Sequence, residues 1–216
     1  MKQILPLILL LSSWVNAQEK SSVQVIARSL PEKILLRWAV DQPLEWKKAN
    51  EYGFLIEKST ISRDGEAVVP IEREQLVSIP LKPRPLEEWE TLATSDQSAA
   101  VLTQALYGDS FITESPKNAM GKIYAVNDEL EQRFTFALLA AEQNFEAAKL
   151  AGWAFEDTNV KPSEKYVYKI TVATPIDNST YDIGEGSVFA SPDLYEELPK
   201  PIGLAAVFGD ENIMLS

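Results

Sequence analysis

Residues 160–173 read Val-Lys-Pro-Ser-Glu-Lys-Tyr-Val-Tyr-Lys-Ile-Thr-Val-Ala. Tyr166, Tyr168, Ile170 and Val172 alternate with Val167, Lys169, Thr171 and Ala173, the period of a strand with one buried face. Val160 and Pro162 stand just upstream at a spacing that fits a tyrosine corner. In that arrangement a Tyr at the start of a strand bonds back to the backbone of the incoming loop.

Working outward, residues 23–28 read as a first strand and 34–38 as a second, with Ile34, Leu36 and Trp38 on one face. Residues 41–50 read as a loop or short helical turn carrying Trp46. A third strand is expected over 52–58, facing inward through Tyr52, Phe54 and Ile56. Residues 63–66 form a turn and 67–81 are extended, until Pro80, Pro83 and Pro85 stop the sheet. From there the period changes to that of a helix. Leu86, Trp89, Leu92 and Ala93 mark a first helix and 96–106 a second, with Gly108 just beyond. A third helix is expected over 128–151, capped by Asn127 or Asp128, with Leu130, Phe134, Leu138, Ala141, Phe145 and Ala148 along one stripe. Residues 153–159 return to strand character, and 187–190 form a short last strand.

Both ends of the chain stand apart. Residues 1–17 combine Lys2, an apolar run over 4–11 and Val15-Asn16-Ala17, the layout of a signal peptide cleaved after Ala17. The apolar run is too short to span a bilayer, and no later segment looks transmembrane. Residues 194–201, with Pro199 and Pro201, read as a stiff linker. Residues 202–216 align without gaps on 23–37 at an offset of 179 (213 − 34): Ala206 falls on Ala27, Ile213 on Ile34 and Leu215 on Leu36. The expectation is that 202–216 opens a second, incomplete copy of the same domain and that the protein continues into further domains.

Charge and residue usage exclude several kinds of chemistry. A net charge of −12 with no basic cluster argues against nucleic-acid binding. The chain has no His and no Cys, which removes His-based triads, thiol nucleophiles, disulfides and the usual zinc ligand sets. Neighbouring carboxylates at Glu87/Glu88, Asp128/Glu129 and Glu196/Glu197 read as solvated helix starts or linker rather than a glycosidase pair. Residues 177–180, Asp-Asn-Ser-Thr, lack the regular acidic spacing of a calcium loop. No catalytic residue, metal or cofactor is expected.

Ile34-x-Leu36-x-Trp38, Tyr52-x-Phe54-x-Ile56 and Val160-x-Pro162 leading into Tyr166-x-Tyr168-x-Ile170 resemble a fibronectin type III domain. The chain is more narrowly similar to the large exported proteins of Gram-negative bacteria that carry such domains in tandem. The resemblance covers about 23–83, 152–192 and the partial repeat. It implies a mainly β, immunoglobulin-like sandwich of seven strands over 18–193, interrupted by a helical insert at about 84–152. Its structural core would comprise Trp38, Tyr52, Phe54, Pro162, Tyr166, Tyr168 and Ile170. The Arg-Gly-Asp loop that some animal members use for integrins is absent, so that activity is not carried over.

The function expected is that of a non-enzymatic exported scaffold, periplasmic, cell-surface or extracellular, engaged in protein–protein contacts. The insert would be its partner-facing or domain-spacing element, as long insertions often carry function. The alternative is a glycan-binding or accessory module of a larger exported carbohydrate-active enzyme. Trp46 and Trp89 are the candidate contacts for a partner or a sugar, against the simpler account that Trp89 locks the insert onto the sandwich.

Overall fold

The computed structural model describes residues 20–110, 119–175, 182–197, 206–208 and 213–215. The expected signal peptide at 1–17, the loop at 177–180 and residues 198–201 of the linker lie outside the described residues.

Seven strands form two antiparallel sheets. β1 (Val23–Ser29), β2 (Ile34–Val40) and β5 (Ala154–Asp157) make one, in the order β1-β2-β5. β3 (Phe54–Arg63), β4 (Glu66–Gln75), β6 (Glu164–Val172) and β7 (Gly186–Ala190) make the other, in the order β4-β3-β6-β7. Strict alternation drives this arrangement. In β2, Ile34, Leu36, Trp38 and Val40 are buried while Leu35, Arg37 and Ala39 between them are only partly covered. β6 buries Tyr166, Tyr168 and Ile170 in the same way. The two faces meet where the Trp38 ring packs against Phe54, with centroids 5.8 Å apart.

The corner before β6 forms as its spacing predicts. The Lys161 N–H donates to the Tyr166 hydroxyl at 2.8 Å, and that hydroxyl donates to Glu164 Oε2 at 2.8 Å. Pro162, however, is exposed in the turn and contributes nothing to the core. Tyr52 also departs from expectation. It is half-buried at the end of helix α1 (Pro43–Tyr52), which is longer than a helical turn. Gly53, at φ 84°, breaks the chain between that helix and β3, and a Cβ there would meet the Leu81 carbonyl oxygen at 2.8 Å.

The insert lies between β4 and β5. A 3₁₀ turn (Leu86–Trp89) runs into α2 (Glu90–Ser95), followed by α3 (Gln97–Tyr107), α4 (Ala119–Gln143) and α5 (Phe145–Leu150). Asp96 caps α3 by accepting from the Ala99 N–H at 2.8 Å. The single helix expected over 128–151 begins earlier, at Ala119, and breaks at Asn144. There the backbone turns extended (φ −136°, ψ 109°), and the side chain accepts from the Ala147 N–H at 2.9 Å to start α5. The chain is therefore mixed rather than mainly β, at 37% helix and 35% strand.

The helices share one core with the sheets. Trp89, Ala99, Leu102, Ala137 and Ala147 belong to the same buried cluster as Leu36, Phe54 and Tyr168. Arg37, on the partly covered face of β2, donates to the Ala141 carbonyl and, at 3.2 Å, to that of Glu142. It thereby ties the C-terminal end of α4 to the first sheet.

β8 (Ala206–Phe208) and β9 (Ile213–Leu215) form a separate antiparallel hairpin, paired Ala206↔Leu215, Val207↔Met214 and Phe208↔Ile213. Subtracting the offset of 179 (213 − 34) turns these into Ala27↔Leu36, Arg28↔Leu35 and Ser29↔Ile34, the register of β1 on β2.

Candidate functional site

The helical layer encloses an open groove of about 650 Å³ between α1, α3, α4 and the segment that leads from β4 into the insert. Its floor is built from the packing of α1. Trp46 stands edge-on to Phe134 of α4 (5.8 Å) and to Trp153 ahead of β5 (5.7 Å). Trp153 is oriented in turn by donating its indole N–H to Asn50 Oδ1 at 2.7 Å. Leu106 of α3 and Val126 and Leu130 of α4 extend the apolar lining.

Arg133 holds one wall together. Its guanidinium reaches the carbonyls at the C-terminal end of α3, Ala105 at 3.0 Å and Gly108 at 2.6 Å, and pairs with Glu129 at 2.7 Å. This satisfies carbonyls that the helix end leaves without intrahelical donors. Tyr107, also in the wall, donates its hydroxyl to the Arg84 carbonyl, which accepts the Trp89 indole N–H as well, at 2.9 Å. Burial pushes the Tyr107 phenol up, with the charges of Glu87 and Glu88 adding to the effect, so the group remains a donor.

The rim carries the charge. Glu51 is paired with Lys48 at 2.9 Å and Glu129 with Arg133. Lys47 and Lys82, both exposed, make no ion pair among the described residues. An apolar floor beneath two exposed ammonium groups is suited to an extended segment that pairs hydrophobic side chains with carboxylates. That local sign is opposite to the chain's net charge of −12.

Of the residues expected to contact a ligand, Trp46 is 4% exposed and Trp89 is fully buried. Neither indole offers a free face on which a sugar ring could stack, and both serve packing. Trp46 still borders the groove, as part of its floor, whereas Trp89 packs inside the insert against Tyr107, with ring centroids 6.4 Å apart. Trp38, Phe54, Tyr166, Tyr168 and Ile170 are buried as expected. The neighbouring carboxylates do not converge: Glu87, Glu88, Asp128, Glu196 and Glu197 are exposed, and Glu129 serves Arg133. Lys47, Lys82 and Arg133 escaped the sequence reading, because only the fold brings α1, α3 and α4 together. Among the described residues no group of three or more His, Asp or Glu could hold a metal ion, and no helix is long and apolar enough to cross a membrane.

No protein-family model, curated protein or solved structure matches the chain.

Proposed function

We propose that this chain is an exported, non-enzymatic interaction module in which a fibronectin type III-like sandwich carries a helical docking layer. The observation that carries the reading is the groove of about 650 Å³ with Lys47 and Lys82 on its rim, neither in an ion pair among the described residues. Its partner is a protein segment rich in Asp and Glu with interspersed apolar side chains. The three-plus-four strand order, in which β5 leaves its sequence neighbours to join β2, supports the Greek-key sandwich. The Tyr166 corner supports it too. The matched register of β8–β9 and β1–β2 supports a tandem arrangement of such domains.

The test is fluorescence anisotropy of a labelled acidic-amphipathic peptide titrated with the full chain. Reversal of both rim charges, Lys47→Glu with Lys82→Glu, is expected to weaken binding by roughly tenfold or more, and raised salt should weaken the wild type. Equal affinity of the double variant at low salt would remove the groove as the docking surface.

A further inference from the structure

Phe54, Ile56, Lys58 and Thr60 share the inward face of β3, so the period of the strand carries a lysine into the sandwich interior. Lys58 Nζ lies 3.0 Å from Oδ2 of Asp157, at the end of β5 in the opposite sheet, with side chains 4% and 3% exposed. The same nitrogen donates to the Asn159 carbonyl at 2.9 Å and stands 5.3 Å from the centre of the Tyr166 ring. Two donors grip the carboxylate: the Tyr168 hydroxyl on Oδ2 at 2.8 Å and the Asn159 N–H on Oδ1 at 2.9 Å. Glu74 of β4, half-exposed, places a second carboxylate 3.4 Å from Nζ.

A dry ion pair is a poor stabilising device, because desolvation of both charges offsets their attraction. It is a good arrangement for a reaction, because amine and carboxyl are held in contact and shielded from bulk water. We propose that Lys58 and Asp157 condense to an intramolecular amide that joins the two sheets covalently.

The step balances within the cluster. A proton passes from Nζ to the Asp157 carboxyl along their hydrogen bond, which leaves a neutral amine and a neutral acid. The amine lone pair attacks Cγ and the C–N bond forms, while the Asn159 N–H steadies the negative charge that develops on Oδ1. Glu74 takes one proton from the nitrogen and returns it to Oδ2. The Cγ–Oδ2 bond then breaks, one water leaves with the Tyr168 hydroxyl still donating to it, and Oδ1 becomes the amide carbonyl oxygen. No oxidant or co-reactant enters. In a chain with no Cys, the amide is a cross-link that needs no oxidising compartment.

The test is a tryptic digest of the purified full chain, read by mass spectrometry. The expected product is a peptide containing Lys58 joined to one containing Asp157, lighter by one water than their sum and resistant to cleavage after Lys58. Lys58→Arg should lack the joined species. Glu74→Gln, altered at a half-exposed position, should fold and show a reduced joined fraction. Recovery of Lys58 and Asp157 only in separate peptides from wild-type protein would overturn the proposal. An undiminished joined fraction in Glu74→Gln would overturn the part assigned to Glu74.

Discussion

Tyr166 closes the β6 corner through a hydroxyl that both accepts from Lys161 N–H and donates to Glu164. Glu164, 4% exposed, also accepts from Arg63 Nε at 2.6 Å and Lys161 Nζ at 3.0 Å. Burial alone would raise this carboxyl, but the bonds from Arg63, Tyr166 and Lys161 outweigh it and hold the pKa at about 2, against an ordinary 4.5. A carboxyl depressed on folding contributes stability that is complete above its unfolded pKa and disappears as pH falls through its folded one. Wild-type stability should therefore decline from about pH 4.5 towards pH 2. Urea midpoints measured across that window should fall more steeply for the wild type than for Glu164→Gln, whose side chain does not titrate. Parallel profiles would mean that Glu164 carries no folding-linked proton.

Asn144 shows what one residue does to an element. The apolar stripe runs on from Leu138 and Ala141 to Phe145 and Ala148 at helical spacing, so the sequence pattern gives no hint of a break. The break comes from the side chain, which competes for the backbone and caps α5. Asn144→Ala should cost about 1 kcal/mol, visible as a lowered urea midpoint with an unchanged slope. The strands were legible because one period decides which face is buried, and the corner because its residues are close in sequence. The groove was not legible, because its walls come from helices whose mutual packing no local pattern encodes. Trp46 and Trp89 invited a ligand role for a similar reason: local spacing carries no sign of which neighbours will cover an indole. Lys58 did leave a trace, falling on the inward face that Phe54 and Ile56 define. Its partner Asp157 lies too far along the chain for the pair to be seen there.

At the scale of the whole molecule, the insert is part of the core rather than an ornament on it. Trp89 of the insert is fully buried in one cluster with the sheet residues, Trp153 at its exit is 2% exposed, and the Arg84 N–H donates to the Leu150 carbonyl across the insert's entry and exit. Replacing residues 86–151 with a short linker would uncover Trp46, Trp153 and the partly covered face of β2. The expected result is a chain without a near-ultraviolet circular dichroism signal or a cooperative urea transition, whereas an independent sandwich would keep both. One further feature matters if the chain is held at both ends. The Val23 N–H donates to the Gly184 carbonyl at 2.9 Å and the Gly184 N–H to that of Ser21 at 2.7 Å, where the chain entering β1 and the chain entering β7 run in the same direction. Tension applied before Ser21 and after Leu194 would slide β1 along β7 and load these bonds side by side. They would have to give way together rather than unzip in turn, so the molecule would resist stretching at the point where it would be pulled.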